Sequence, residues 1–489
     1  MSETEPDTLA TSHRAAPDWI ILLIACVAQF MVVLDVSIVN VALPSMQRSL
    51  HFSLSNAQWV VNAYILTFGG FLLLGGRAAD IFGRRRVYLT GLTIFTLASI
   101  GAGFASSGSQ MIAIRALQGV GAAILSPATL TIIVTTFQGP RLPKAIGAWS
   151  AVAGAGGAIG GLLGGILTGY ASWRWVFFIN VPFGIIATVL ALSFLREMRN
   201  RDAAVKLDIT GAILVTGSLA SLIYGVVNTT IHGWTSSSTL TWFIVGAAAM
   251  IGFLFWEMKV ASHPLVPFRI FRSRTLSVAN TVMFLVGGAF FAMWYFLTFY
   301  FQNILGYDPV RTGFAFLPMA LAIIIGAQLS SRILTKTGVK PLLLVGASLA
   351  TLGFLWISLI KIDSSYWGAI FVPSILCAFA LGMLFAPLAT AATADVERSE
   401  SGLASGVLNA ARTIGGAIAL AVLATVATSR SATFLHPTSP MALVGGYQRA
   451  FQISALITFI GLMVSFLLPR LTGRQQKAQP QIPATESAI

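Results

Sequence analysis

Long apolar runs dominate the chain. Stretches of about 20 or more mostly apolar residues recur from residue 19 to residue 469, each closed by a charge cluster or by Gly, Pro, Asn and Ser. A helix needs about 20 such residues to cross the hydrocarbon core of a bilayer, so the pattern predicts fourteen spans. Six fall at about 19–43, 57–76, 87–106, 109–137, 145–168 and 174–195, and a middle pair at about 207–229 and 238–257. Six more fall at about 276–301, 312–331, 341–360, 366–393, 402–428 and 449–469. From Ile209 to Trp256 there is no Asp, Glu, Lys or Arg, so the break inside the middle pair rests on the polar run NTTIHGWTSSS. The first run, Trp19 to Leu43, is too long for a signal-peptide core and no small-residue cleavage site ends it.

Composition agrees. Of 489 residues 56% are hydrophobic and 9% charged, against about 25% charged in an average soluble protein. The net charge of +14 would suggest nucleic acid if it were spread over one surface. Its distribution says otherwise. With the N-terminus in the cytoplasm, 22 of the 30 Lys and Arg fall in inside segments and 6 in outside loops, among them Arg449. This is the positive-inside bias of a polytopic membrane protein, so lipid rather than nucleic acid is the expected partner. Both termini are then cytoplasmic.

Other chemistries leave no trace. No G-x-x-x-x-G-K-[ST] motif occurs, the five histidines lie in expected loops or the tail, and Cys26 and Cys377 sit far apart in apolar runs. Neither a nucleotide site, a metal site, a disulfide framework nor a membrane enzyme is expected. Inside loops shorter than 20 residues leave no room for a soluble catalytic domain.

Ionisable groups inside a bilayer are costly and mark function. Among sixteen acids only Asp35 lies deep in a span. It is eight residues before the end of the first span, about 12 Å deep, and Arg115 is six residues into the fourth, about 9 Å from the same surface. Equal depth permits a pair. Such a pair is either a structural salt bridge or a proton site in which burial of the carboxylate opposes the attraction of Arg115. Gln118 follows Arg115 by one turn and shares its face. Arg412, near mid-membrane, has no acid at its depth and must bond carbonyls, water or substrate.

The segment GAGGAIGGLLGGIL (154–167) places Gly154, Ala158, Gly161 and Gly165 on one stripe, for tight packing or for bending. The turn GRAADIFGRRR (76–86) carries Asp80 beside three arginines, more than orientation requires. Asp80 is placed to cap a helix or pair with an arginine there. Amide and aromatic candidates for a cavity wall are Asn40, Gln58, Asn62, Tyr64 and Gln118 in the first half. Phe290, Trp294, Tyr295, Asn409 and Arg412 are those of the second, although the aromatics equally suit a lipid-facing surface. Walls of this kind suit bulky apolar molecules that are neutral or singly charged, and with one deep acid dications are expected to be poor substrates.

These residues resemble a known family. LDVSIVNVALP (34–44), GRAADIFGRRR (76–86), RALQGVGAA (115–123) and the glycine-rich fifth helix follow the order of motifs in the 14-span drug:proton antiporters of the major facilitator superfamily. The resemblance runs from about residue 19 to 470. One departure is Gly160-Gly161 where the fifth-helix motif usually carries Gly-Pro, and SSRILTKTGVKPLL (330–343) echoes the loop motif without its acid.

The resemblance implies an all-α major-facilitator fold of two six-helix bundles plus two extra central helices. The parts would be an N-terminal tail (1–18), a first bundle (19–195), a linker with the extra pair (196–257), a second bundle (258–469) and a disordered cytoplasmic tail (470–489). It implies a multi-pass protein of the cell (inner) membrane, monomeric, with protons as coupling ion and no other cofactor. It further implies proton-driven export, by alternating access, of hydrophobic small molecules such as drugs or natural products. Export or symport of one small metabolite, such as an amino acid or siderophore, shares the fold. Position by position, Asp35 and Arg115 would be coupling residues. Gly76, Asp80, Gly83, Arg84 and Arg85 would form a cytoplasmic gate, and Gly154, Gly160, Gly161, Gly164 and Gly165 the antiporter-type glycine helix.

Overall fold

The computed structural model describes residues 17–137, 141–195, 197, 207–262, 264–396 and 401–469. The tails at 1–16 and 470–489 lie outside them. Among the described residues the secondary structure is entirely helical. The first half holds α1 (Asp18–Leu50), α2 (Leu54–Phe82), α3 (Arg84–Gly103), α4 (Gly108–Thr136), α5 (Arg141–Tyr170), α6 (Trp175–Phe178) and α7 (Asn180–Phe194). A hairpin follows, α8 (Ile209–His232) and α9 (Ser237–Phe255). The second half holds α10 (Arg274–Asn303), α11 (Pro309–Thr337), α12 (Val339–Ile357), α13 (Phe371–Thr393), α14 (Ser401–Ser431) and α15 (Pro440–Phe466). A π-turn (Trp256–Val260) extends α9, a 3-10 turn (Phe268–Arg272) precedes α10 and a second π-turn (Tyr366–Ile370) precedes α13.

Twelve of these helices, among the described residues, are long and apolar enough to cross a membrane. The two remaining expected positions are also helical, as α3 and α5. The sixth expected helix is one span, Trp175–Phe194, interrupted at Ile179. Pro182 explains the interruption: it has no N–H for the carbonyl of Phe178 one turn earlier.

Several helices outrun the sequence reading, α1 reaching Leu50 rather than 43, so that Arg48 lies in a helix, and α11 reaching Thr337 rather than 331; two further differences have a clear local cause. The last helix begins at Pro440, not near 449, because Ser439 caps it by accepting the N–H of Ala442 and proline suits the first helical turn. Arg449 therefore lies in a helix rather than a loop. The expected turn at 76–86 is mostly helix: α2 runs to Phe82, and Gly83 alone, at φ +95°, separates it from α3. A left-handed residue there favours glycine.

Helices α1 to α7 pack mainly on one another, through α1 with α5, α2 with α4 and α3 with α4, and α10 to α15 do likewise. The halves meet along two seams, α5 against α11 and α2 against α14. Helix α8 lies over the second seam, touching both α2 and α14. Helix α9 sits outside it, with Leu240, Ile244, Ile251 and Phe255 exposed.

Candidate functional site

Arg115 and Gln118 project from one face of α4 into the first half. Glycines bring α4 close to its neighbours: a Cβ on Gly121 would lie 2.6 Å from the backbone nitrogen of Phe95 in α3, and one on Gly119 would collide with the Tyr64 carbonyl of α2. The Asp35 carboxylate on α1 is fully buried and Arg115 is 1% exposed. Arg115 Nη1 donates to Asp35 Oδ2 at 2.5 Å and to Gln118 Oε1 at 2.6 Å. Gln118 Nε2 donates to Asp35 Oδ1 at 2.8 Å and to Ser99 Oγ of α3 at 2.8 Å. Asn180 Nδ2, at the start of α7, adds a bond to Asp35 Oδ1 at 3.3 Å.

The guanidinium is held on its other sides as well. Its Nε donates to the Val60 carbonyl of α2 at 3.1 Å, and its plane lies 4.3 Å from the Tyr64 ring and 5.8 Å from that of Phe177. The pair expected from depth alone is thus formed, with three donors on the carboxylate. Every donor is placed for the ionised acid. A proton added to Asp35 would leave Arg115 buried without a counter-ion, so charge at the two residues is tied together.

The glycine helix has two working faces rather than one stripe. A Cβ on Gly164 would lie 2.6 Å from the Ile38 carbonyl of α1, and one on Gly160 would overlap Ser37 Oγ. One on Gly161 would lie 3.5 Å from Phe316 of α11, and one on Gly165 would strike the Pro309 carbonyl at the start of α11. Gly160 and Gly164 therefore serve α1, and Gly161 and Gly165 serve the seam between the halves. Gly154 and the side chain of Ala158 lie outside the described residues.

In the expected gate, the Asp80 side chain also lies outside them. Gly76 packs 3.5 Å from Pro127 by the same measure, and Arg84 is half-buried at the start of α3. Arg85 Nη2 donates to the Leu192 carbonyl of α7 at 2.8 Å, and Arg86 lies 3.7 Å from the Glu197 carboxylate, which itself covers Gly83. These contacts stay within the first half. Arg77 is the residue that reaches further, donating to the Pro264 carbonyl ahead of α10 at 3.1 Å.

Asn40 is buried and bonds its own helix at the Val36 carbonyl. Asn62 is fully buried with neither amide atom paired, and Gln58 keeps an unpaired oxygen. Tyr64 belongs to the Arg115 cluster. Phe290 and Tyr295 are packed within the second half, Phe290 against Phe354 at 5.2 Å and Tyr295 against Phe299 at 4.8 Å. Trp294 is half-buried on Phe316 at 4.9 Å. Arg412 is exposed, and Asn409 Oδ1, one turn back, accepts from its Nε at 3.2 Å and its Nη2 at 2.9 Å. On α14 it lies between the face carrying Gly415 and Ala419, which packs on α10, and Thr413, which meets Gly69 of α2. Helical spacing thus puts Arg412 and Asn409 at the margin of the space between the halves, with the Arg412 stem on Gly287 of α10, where a Cβ would lie 3.0 Å from Arg412 Cγ. Among the described residues no group of three His, Cys, Asp or Glu is placed to hold a metal ion.

Residues 25–420 match the model of the Major Facilitator Superfamily. The chain belongs to that superfamily. It is 40% identical over 453 residues to the cephamycin export protein CmcT of Amycolatopsis lactamdurans, covering 92% of each chain. It is 38% identical over 473 residues to the puromycin resistance protein pur8 of Streptomyces alboniger, covering 94% of this chain and 93% of that one. Its fold is similar to the crystal structure of a bacterial homolog of the human lysosomal transporter Spinster, inward-facing and unoccupied. That match has a TM-score of 0.62 at 15% identity and covers 96% of this chain and 100% of the other. The protein is a multi-span membrane transporter, not an enzyme.

Sequence reasoning missed three members of the transporter's polar cluster. Asn180 was visible as the lone amide in WVFFINVPF (175–183), two residues before a proline. The Pro182 interruption turns it toward Asp35. Ser99 and the Val60 carbonyl carry no sequence signal, since a serine in a span most often bonds its own helix.

Proposed function

We propose that this transporter is a proton-coupled antiporter that exports bulky apolar, neutral or monocationic drugs or natural products. In this reading it has fourteen spans and both termini in the cytoplasm, and works as a monomer in the cell (inner) membrane. Residues 19–195 and 258–469 are its two six-helix bundles, 196–257 carry the extra pair, and access alternates between the two sides.

The observation that carries the reading is the buried Asp35–Arg115–Gln118 cluster. A carboxylate with a dedicated cation and no exposure is a place where one proton changes the balance between two conformations. Removing the charge of one partner in a buried pair costs about 3–5 kcal/mol, and about 5.5 kcal/mol is enough to carry a two-state equilibrium from 1:99 to 99:1. Protonation of Asp35 would free Arg115 to find new acceptors, and return of the carboxylate would recapture it. The glycine contacts of α5 on α11 give the halves a smooth seam on which to rock. Export as the direction is supported by relatives whose names specify cephamycin export and puromycin resistance.

Dye efflux in a pump-deficient bacterium tests this. Expression of the transporter should lower dye retention, a protonophore should abolish the effect, and dicationic dyes should be exported poorly. Strong dication efflux would refute the substrate class. Efflux indifferent to protonophore would refute the coupling, and no efflux of any dye from well-expressed protein would point to a dedicated metabolite exporter.

A further inference from the structure

Away from the Asp35 cluster, two carboxyl groups meet where α8 begins and α9 ends. Asp208 caps α8: its Oδ1 accepts the Gly211 N–H at 2.8 Å and the Trp256 Nε1–H at 2.7 Å. Its Oδ2 has no hydrogen-bond partner, although the residue is only 7% exposed. Glu257, in the π-turn that ends α9, is 4% exposed. Its Oε1 accepts the Leu265 N–H at 3.2 Å and its Oε2 the Val266 N–H at 3.3 Å. The two carboxyls converge over Gly211: a Cβ there would lie 2.6 Å from Asp208 Oδ2 and 2.8 Å from Glu257 Oε1.

Two carboxylates cannot both be ionised in a buried contact of this kind without strong repulsion, and neither can donate to the other. Charged groups on the surrounding elements are Arg77 of α2, Lys259 of the π-turn, and Arg269 and Arg272 of the 3-10 turn. Among the described residues Arg77, Lys259 and Arg272 form no ion pair with either acid, Arg77 being engaged by the Pro264 carbonyl, and Lys206 and His263 lie outside the described residues. We propose that Asp208 and Glu257 bind one proton between them, and that this proton holds the strap joining the α8–α9 hairpin to α10.

The geometry gives the proton a mechanical consequence. A proton on either acid makes an O–H···O⁻ bond that satisfies the orphaned Oδ2. The same Glu257 holds the strap by its Leu265 and Val266 amides, while Arg77 holds the strap's Pro264 carbonyl from the first half. Release of the proton to water leaves two negative charges facing each other. Repulsion then pulls Glu257 off the strap amides and loosens the connection into α10. The clasp is closed while the shared proton is bound and opens as pH rises through its loss. It does not depend on the transporter being a proton antiporter.

The test uses the full-length protein in lipid nanodiscs. Hydrogen exchange at the Leu265 and Val266 amides, corrected for intrinsic rates, should speed up by about tenfold or more as pH rises in wild type. In Glu257→Gln exchange at Val266 should stay slow at every pH, because the amide oxygen still accepts that N–H while the amide nitrogen, in place of Oε1, donates to Asp208 Oδ2 and gives up the Leu265 bond. Infrared spectroscopy on the Asp35→Asn background should show a carboxylic-acid carbonyl band that Glu257→Gln with Asp208→Asn removes. Gly211→Ala, which pushes a methyl between the carboxyls, should make strap exchange fast at all pH values. Flat exchange in wild type, or an acid band untouched by the double substitution, would overturn the proposal.

Discussion

In the first half, Asp35 and Arg115 are buried together and bonded to Gln118 of α4, Asn180 of α7 and the Val60 carbonyl of α2. In the second half, Arg412 is exposed toward the space between the halves, and its guanidinium donates twice to Asn409 on its own helix. The core around it is aromatic, with Phe290, Phe296, Phe301, Phe354 and Phe451 fully or nearly fully buried. One half thus meets the cost of burying a charge with an opposite charge and a closed set of hydrogen bonds. The other leaves its charge where water or cargo can reach it. In the proposed reading the first half carries the proton and the second contacts cargo.

Breaking the closed set should have the largest effect. Arg115→Ala leaves the Asp35 carboxylate buried and unpaired, and should cost about 3–5 kcal/mol, read as a large drop in thermal unfolding temperature in detergent. Adding Asp35→Asn should recover much of that loss. Arg115→Lys should be intermediate, because an ammonium cannot span Val60, Asp35 and Gln118 at once. An Arg115→Ala protein as stable as wild type would remove the contrast between the halves.

The seam between them comes next. Gly165→Ala drives a methyl into the Pro309 carbonyl, an overpacking worth about 1–3 kcal/mol, and should slow transport while leaving the Asp35 cluster intact. Gly157→Ala, whose Cβ would meet only Val33 Cγ1 at 3.8 Å, is its control and should be near neutral. Equal effects on transport from the two would argue against the seam as the sliding surface.

Smaller still is Asn180→Ala, which removes one donor from Asp35 and should cost about 1 kcal/mol in the same unfolding assay. Arg412→Ala should change stability least, within about 0.5 kcal/mol, since its guanidinium is exposed and bonds within α14, with its stem alone resting on Gly287 of α10. It should instead alter substrate affinity in a binding titration. A large stability loss there would show that Arg412 is structural.

Much of this was legible in the chain. Charges are so rare in the spans, and helical rise so constant, that counting residues from a span's end brought Asp35 and Arg115 to the same depth, and they do meet. Helix positions followed from run lengths for the same reason. Other features needed the third dimension. A run of near-continuous glycine cannot tell which residues face α1 and which face α11, because neighbouring glycines differ only in direction. Aromatics such as Phe290 and Tyr295 look the same in sequence whether they line a cavity or fill a core. Asn180 faces Asp35 only because Pro182 breaks the helix, and Asp208 meets Glu257 only because the α8–α9 hairpin brings its ends together.

The most direct measurement is proton release from purified transporter in weakly buffered detergent on addition of an exported dye. Wild type should release protons as dye binds, and Asp35→Asn, folded and still binding dye, should release none. Release of the same size from Asp35→Asn would place the coupled proton elsewhere and contradict the role given to the first half.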